Sequence, residues 1–291
     1  MSEVSEMINK QFGEADDRRD ACVKDSDKIS YDRDIAYGDD YEQVLDVYRP
    51  LECTGKLPVI ISVHGGGWVY GDKNRYSFYC QHLAERGFAV VNYTYRLAPR
   101  CKFPASLEDT NTVFHWTLDN SDVYDFDMDH VFAVGDSAGA HLLGLYMNLC
   151  TNKAYASQFS FTPVSYLPKA IALNCGAYEI TMEDPEDMTS MLMKDFLPNE
   201  GTQEELVQIN VLKYLTKDFP PTFLMTCNND FLQAQAAPMA EVLRKNNVPF
   251  IYRFYGGEKT LGHVFMLNMK TEESRKCNDH ECMFFREFME E

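Results

Sequence analysis

Short apolar runs alternate along this chain with longer segments that have a helical pattern. The runs are five to seven residues long and lie at residues 57–63, 88–93, 131–135, 170–175, 222–227 and 249–255. The segments between them, with apolar residues three and four positions apart, are residues 76–86, 105–120, 138–150 and 233–246. A strand that is apolar throughout must be buried on both faces, as it is when helices cover both sides of a parallel sheet. The alternation therefore predicts an α/β fold with a mostly parallel central sheet and helices on both faces.

The 291 residues are predicted to form one main domain. The sequence has no internal repeat, no low-complexity tract and no Gly/Ser-rich linker, and about 300 residues is a common length for a single α/β domain. Residues 1–30 are charged and weakly amphipathic, and we expect a peripheral N-terminal segment there. Residues 31–291 then form the domain. The region from about 176 to 220 departs from the alternation and is predicted to be a small helical cap insertion.

The charge balance and the cysteines exclude several classes of function. Lys and Arg number 27 against 45 Asp and Glu, and the net charge of -18 opposes attraction to nucleic acid or to anionic lipid. The N-terminus is polar and nowhere do 18 apolar residues run together, so neither a secretory signal nor a membrane span is predicted. The nine cysteines are odd in number and scattered, which is typical of reduced thiols in a cytoplasmic protein.

A candidate nucleophile lies where one apolar run meets a helical segment. Residues 131–141 have the sequence Val-Phe-Ala-Val-Gly-Asp-Ser-Ala-Gly-Ala-His, so Ser137 stands between Gly135 and Gly139. A tight strand-to-helix turn lifts such a serine clear of the sheet, at the N-terminal end of a helix dipole, and leaves no room for flanking side chains. The alternative is a serine that merely fills a glycine-rich turn. The strand before it and the helix after it favour a nucleophile of acyl transfer.

A glycine-rich run after the first apolar run supplies a second feature of acyl transfer. Residues 64–68 are His-Gly-Gly-Gly-Trp. Bare backbone of this kind can direct N–H groups at the negative charge that develops on a substrate oxygen in the transition state. We expect Gly66, Gly67 and Ala138, the residue after the nucleophile, to donate them. The run lacks the Lys-Ser/Thr ending of a nucleotide P-loop and the spacing of a dinucleotide motif, which argues against a phosphate site.

A serine nucleophile needs a base, and one of the seven histidines has a suitable place. His263 lies in a glycine-rich loop after the last apolar run, at the sheet edge where Ser137 is expected. The other histidines lie inside the glycine-rich run at residues 64–68, on helical segments or at the start of a strand: His64, His82, His115, His130, His141 and His280. For the carboxylate that orients the imidazole, Asp230 follows the run at 222–227, whereas Asp218 precedes it and would lie at the opposite edge. The order Ser137, Asp230, His263 is that expected of an α/β-hydrolase.

These motifs resemble those of the hormone-sensitive-lipase-like branch of α/β-hydrolases, which includes bacterial carboxylesterases with HGGG and GDSAG sequences. Further matching motifs between these two are Tyr95-Arg-Leu-Ala-Pro99, Phe103-Pro-Ala105 and Glu108-Asp109. The resemblance covers the chain from about residue 31 onward. It implies the family's α/β-hydrolase fold and its serine-esterase mechanism, with the triad at Ser137, His263 and Asp230. Two positions depart from the family, which usually has Gly at Cys227 and Pro at Phe231.

The sequence thus predicts a cytoplasmic serine carboxylesterase that hydrolyses small esters with a short acyl group, either acetyl-type or aromatic. An amidase or arylformamidase could use the same residues, and a non-catalytic ligand-binding relative is the other alternative. No cofactor is expected, and no metal, because Cys277, His280 and Cys282 have no second ligand pair elsewhere. The expected partner is a small-molecule ester, and a homo-oligomer is compatible with the sequence. Residues 188–197, rich in Met and Phe, either line an acyl pocket or pack in the core.

Overall fold

A computed structural model describes residues 2–289 of the protein. An eight-stranded sheet runs through the part that it describes. The strands in chain order are β1 (Ile29–Ala36), β2 (Val44–Pro50), β3 (Leu57–Val63), β4 (Ala89–Tyr93), β5 (Phe126–Asp136), β6 (Ala170–Asn174), β7 (Thr222–Cys227) and β8 (Phe250–Tyr255). They lie side by side in the order β1-β2-β4-β3-β5-β6-β7-β8. The β1–β2 and β2–β4 pairs are antiparallel and all the others are parallel. The prediction of a mostly parallel sheet is confirmed.

Helices cover both faces of this sheet, as predicted. They are α1 (Glu3–Asp20), α2 (Ser77–Ala84), α3 (Ala105–Asp119), α4 (Ala138–Thr151), α5 (Lys153–Ala156), α6 (Met188–Phe196), α7 (Gln203–Gln208), α8 (Val211–Tyr214), α9 (Gln233–Lys245) and α10 (Glu272–Glu287). Side chains of α2 and α10 pack on one face, and side chains of α3, α4 and α9 pack on the other. Within β3, Val59 and Ile61 enter one apolar core while Ile60 enters the other. Alternation of side chains along a strand sends neighbours to opposite faces, so the sheet separates two cores.

The two antiparallel strands β1 and β2 have no counterpart among the predicted apolar runs. β1 lies at the edge of the sheet and most of its residues are exposed. In β2, the buried Asp46 interrupts the apolar pattern, and its carboxylate is paired with Lys73 Nζ at 2.8 Å. A charge can remain in such a buried place because the opposite charge is within hydrogen-bond distance. Lys73, the partner of Asp46, lies outside the strand, so the local sequence pattern does not indicate that β2 is a strand.

The region predicted as a cap insertion contains α6, α7 and α8, and the N-terminal helix α1 packs against α6. The hydroxyls of Ser2 and Ser5 both donate to the carboxylate of Asp195 on α6. Asn9 Nδ2 donates to the backbone oxygen of Val69 at 3.0 Å, just beyond the glycine-rich run. These contacts fix α1 over the same edge of the sheet that carries the predicted site. No helix within residues 2–289 combines the length and apolar character needed to cross a membrane.

Candidate active site

Ser137 occupies a strained turn between β5 and α4. Its backbone has φ 51° and ψ -118°, a conformation that costs a non-glycine residue on the order of 1–3 kcal/mol. Both flanking positions need glycine: a Cβ on Gly135 would lie 2.6 Å from Gly139 O, and one on Gly139 would lie 2.1 Å from Val63 O. The turn is held by the Ser137 N–H, which donates to Asn174 O at the end of β6 at 3.0 Å. The turn expected from the sequence is therefore present at the carboxyl edge of the sheet.

His263 and Asp230 lie on neighbouring loops and are hydrogen-bonded. His263 Nδ1–H donates to Asp230 Oδ1 at 2.6 Å. Asp230 as a residue is only 6% exposed, and its carboxylate also accepts from the Thr226 hydroxyl at 2.7 Å and from the Leu232 N–H at 2.9 Å. Burial alone would raise the pKa of Asp230, but these hydrogen bonds outweigh burial and hold the pKa below its ordinary value. Asp230 is therefore ionised at neutral pH, and its bond to Nδ1–H leaves Nε2 as the basic nitrogen.

Asn228 joins the loop of Asp230 to the loop of His263. Its Nδ2 donates to Lys259 O at 2.8 Å, and its Oδ1 accepts from the Leu261 N–H at 2.9 Å. The next residue adds a backbone bond, from the Asn229 N–H to Leu261 O at 3.1 Å. Asn228 is not among the site residues predicted from the sequence. The available signal was a side-chain amide directly after a buried strand and two residues before the predicted acid.

The glycine-rich run forms a loop with backbone conformations that glycine alone adopts easily. Gly66 has φ +116° and Gly67 has φ +59°, and a Cβ on Gly66 would lie 2.0 Å from Tyr70 O. Among residues 2–289, no protein acceptor takes the N–H of Gly66, Gly67 or Ala138. The three predicted oxyanion donors therefore keep their N–H groups unpaired.

Ser137, His263 and Gly66 line one cavity of about 470 Å³. Gly67, Ala138 and Asp230 do not line this cavity. Asp230 is buried and is hydrogen-bonded to the histidine. Much of the remaining wall comes from α1 and from the loop around residues 260–271, and other lining residues are Gly65, Tyr70, Gly71, Tyr76, Asp136 and Phe231. None of residues 188–197 contributes to these walls. Buried side chains of α6 instead pack in the core, which is the second of the two roles considered for that segment.

The alternative bases and the alternative acid have other partners. His64 is buried, its Nδ1–H donates to Gly65 O at 2.7 Å, and burial lowers its pKa to about 4. His141 is buried as well; its Nε2–H donates to Ile209 O at 2.8 Å, and burial lowers its pKa to about 4. Asp218 is exposed and pairs with the adjacent Lys217 at 2.7 Å, on the side where β7 begins. These groups satisfy local packing and charge, and none of them lines the cavity that Ser137 lines.

The chain matches a protein-family model described as the alpha/beta hydrolase fold over residues 60–267. The match covers more than half of the chain and includes Ser137, Asp230 and His263. The chain belongs to the hormone-sensitive-lipase-like family of α/β-hydrolases.

This hydrolase is similar to named esterases in sequence and in structure. It is 27% identical over 259 residues to versiconal hemiacetal acetate esterase from Dothistroma septosporum, covering 83% of this chain and 76% of that protein. It is 29% identical over 224 residues to esterase LipQ from Mycobacterium tuberculosis, covering 72% of this chain and 52% of LipQ. The solved structure of esterase B from Lactobacillus rhamnosis matches with a TM-score of 0.89 at 26% identity, over 98% of this chain and 96% of that one. The predicted family, fold and class of enzyme, a carboxylic ester hydrolase, are confirmed.

A buried tyrosine links the glycine-rich loop of the hydrolase to the turn that carries Ser137. The Gly65 N–H donates to the Tyr76 hydroxyl at 2.8 Å, and that hydroxyl donates to Asp136 Oδ2, also at 2.8 Å. Asp136 is 3% exposed, and burial raises its pKa to about 7. Neither Tyr76 nor Asp136 is among the site residues predicted from the sequence. The signal for Asp136 was a carboxyl directly beside the nucleophile, but nothing in the sequence pattern pointed to Tyr76.

Helix α1 forms one wall of the cavity through Phe12, Ala15, Asp16 and Arg19. The guanidinium of Arg19 pairs with Asp16 at 2.9 Å and with Asp20 at 2.6 Å. Its positive charge is thus balanced by two carboxylates of its own helix. The wall therefore offers a substrate no unpaired cation, which agrees with the acidic balance of the chain.

Three potential metal ligands lie together at the site, with ligand atoms of Cys175, Asp230 and His263 within 4.8 Å of one another. The His263 and Asp230 atoms are already bonded to each other. A hydrogen bond with Cys227 and burial raise the pKa of the Cys175 thiol well above its ordinary value, and metals bind the thiolate. The cluster is therefore better described as the buried support of the histidine than as a metal site. Cys277 and Cys282 are both buried on α10.

Proposed function

We propose that this hydrolase is a serine carboxylesterase that acts on small esters through Ser137, His263 and Asp230. The observation that carries the proposal is the 2.6 Å hydrogen bond between His263 and the buried Asp230, beside a cavity that Ser137 and His263 both line. A serine is a weak nucleophile until a base takes its proton, and a histidine oriented by a carboxylate is such a base.

The proposed reaction proceeds by two acyl transfers. Ser137 Oγ attacks the ester carbonyl while His263 Nε2 takes the hydroxyl proton, and the resulting oxyanion accepts from the N–H groups of Gly66, Gly67 and Ala138. The imidazolium then gives its proton to the leaving alcohol, and the acyl group stays on Ser137. Water attacks this acyl-enzyme by the same route, with His263 as base, and releases the acid. Asp230 stays ionised throughout and stabilises the imidazolium.

The proposed substrates carry a short acyl group. The cavity of about 470 Å³ lies in the lower half of the range typical of small-molecule sites. One structural relative, esterase B, has been solved with a C4-C4 tributyrin phosphonate inhibitor, which has short acyl chains. These points support acetyl to butyryl esters, and we propose esters of small aromatic acids beside them.

Hydrolysis of p-nitrophenyl acetate and of N-formylkynurenine, measured side by side, tests the proposal. We expect turnover of the ester, with kcat/KM falling as the acyl chain is lengthened from acetate to decanoate. Turnover of the formamide alone would replace the proposal with an arylformamidase on the same residues. If neither compound is turned over, a ligand-binding role is favoured.

A further inference from the structure

Phe231 is a large apolar side chain that remains exposed beside the predicted catalytic histidine. It follows Asp230 directly, is 70% exposed and lines the cavity. Its ring lies against the imidazole of His263, with centroids 4.1 Å apart and planes inclined by 39°. Single exposed apolar side chains are common on protein surfaces, but this ring differs from the others in that it both lines the cavity and packs on the histidine, so a ligand in the cavity can cover it.

The chemistry of ester cleavage defines which part of a substrate would meet this ring. The imidazolium of His263 delivers its proton to the leaving alcohol, so the alcohol oxygen must come within hydrogen-bond distance of Nε2. The group attached to that oxygen then lies next to the histidine ring. Phe231 packs against that ring and opens into the same cavity, so it faces the alcohol part of the ester.

A second aromatic side chain lies on the α1 wall of the same cavity. Phe12 is half-buried, and its ring packs edge-on against Tyr70 with centroids 5.8 Å apart. Because Tyr70 OH donates to Asp16 at 2.9 Å, the supporting ring is itself held in place. The cavity thus has aromatic side chains on two walls that belong to distant parts of the chain.

The charges of the cavity limit which alcohols fit between these walls. Arg19 is the positively charged side chain that lines it, and Asp16 and Asp20 neutralise that charge. Asp136 also lines the cavity. An anionic alcohol would meet no unpaired cation among these lining residues, whereas an uncharged ring would gain aromatic contacts without burying a charge.

We propose that Phe231, together with Phe12, forms the alcohol subsite, and that this subsite selects esters of uncharged aromatic alcohols. The inference rests on the proposed esterase function and adds the class of leaving group to it. Phe231 acts as a specificity-determining residue, because it touches the alcohol and not the reacting carbonyl.

The experiment compares kcat/KM for benzyl acetate and cyclohexylmethyl acetate in the wild type and in Phe231→Ala. Both esters have the same acyl group and a six-membered ring on a primary alcohol, but only the benzyl ring is flat and aromatic. We expect the wild type to prefer benzyl acetate, and Phe231→Ala to reduce that preference about fivefold, the size of an aromatic pair contact. Phe231→Tyr keeps the aromatic face and is expected to keep the preference within twofold.

Phe254→Ala is the matched control, because Phe254 is also an exposed aromatic residue, at 54%, and lies on the outer strand β8 away from the cavity. It is expected to leave the preference unchanged. If the wild type is active and its preference for benzyl acetate survives in Phe231→Ala, the proposed subsite is wrong. The same holds if Phe231→Ala loses activity on both acetates equally. Neither result contradicts the proposed esterase function. A wild type that cleaves neither acetate overturns the proposed function itself, and the subsite with it.

Discussion

Asp230 remains ionised at 6% exposure because hydrogen bonds from three sides compensate the loss of water. One of them, from the Thr226 hydroxyl, comes from within β7, so the strand that positions the carboxylate also stabilises its charge. The carboxylate in turn fixes the His263 tautomer. In the proposed mechanism, Asp230 therefore acts through His263 and never needs to touch the substrate.

Asp230→Asn is expected to lower kcat for p-nitrophenyl acetate by about 10⁴-fold, because an amide that donates to Nδ1 stabilises the wrong tautomer. The variant keeps the volume of the side chain, so its unfolding midpoint should stay close to that of the wild type. Asp218→Asn is the control, since Asp218 is exposed and pairs only with Lys217. A large loss of kcat in Asp218→Asn, with activity retained in Asp230→Asn, would contradict the assignment of the acid.

Glu281 is a second buried carboxyl, with a different environment from that of Asp230. It accepts from the Tyr79 hydroxyl at 2.8 Å and from Asn174 Nδ2 at 2.6 Å, and it is fully buried on α10. Burial outweighs these bonds and raises its pKa to about 7. Between the unfolded pKa near 4.5 and this value, the folded protein holds a proton that the unfolded chain has released. The contribution of Glu281 to stability therefore falls as the pH rises through this window.

Glu281→Gln is expected to remove part of the pH dependence of stability. In the wild type, the contribution of Glu281 to the free energy of unfolding should fall by about 1 kcal/mol between pH 6 and pH 8. The neutral amide does not titrate, so the variant should lose correspondingly less stability over the same interval. Urea unfolding at the two pH values measures both changes. Identical pH dependence in the two proteins would contradict the buried, proton-binding state of Glu281.

The glycine-rich loop and the turn of Ser137 are separate elements that one side chain holds in register. The Tyr76 hydroxyl bonds both the Gly65 N–H and the Asp136 carboxyl, so it ties the predicted oxyanion donors to the predicted nucleophile. Removal of the hydroxyl would keep the donor N–H groups but free the loop that carries them to shift relative to the turn. Tyr76 is therefore a positioning residue.

Tyr76→Phe is expected to lower kcat about tenfold while KM changes less than threefold, because misplaced oxyanion donors weaken transition-state binding more than ground-state binding. Tyr79→Phe provides a matched control: Tyr79 is also buried near the start of α2, but its hydroxyl bonds Glu281 instead of the loop. Equal losses of kcat in both variants would indicate a general structural effect.

At the level of the whole molecule, the parts that could be predicted are those set by contiguous residues. Buried parallel strands such as β6 and β7 leave continuous apolar runs, and Ser137 lies in a short local motif. The place of α1 depends instead on a bond from Ser5 to Asp195, which are 190 residues apart. The cavity wall that α1 forms depends on such contacts between distant residues, which leave no periodic pattern in the sequence. The same is true of the antiparallel strand β2, where the buried Asp46 is paired with Lys73.

The net charge of -18 is also a property of the whole molecule. It should disfavour anionic substrates at low ionic strength, and salt should screen the effect, because the Debye length falls from about 30 Å at 0.01 M to about 3 Å at 1 M. We expect kcat/KM for monoethyl succinate, relative to uncharged diethyl succinate, to rise severalfold from 10 mM to 500 mM NaCl. If this ratio does not change with salt, the net charge has no effect on the choice of substrate.

Covalent labelling of the nucleophile tests the central claim most directly. The hydrolase is treated with a fluorophosphonate and digested, and the modified residue is located by tandem mass spectrometry. Modification of Ser137 with one equivalent of probe, and no modification of Ser137→Ala, is the expected result. Labelling at another residue, or equal labelling of Ser137→Ala, would contradict the assignment of Ser137 as the nucleophile that His263 and Asp230 activate.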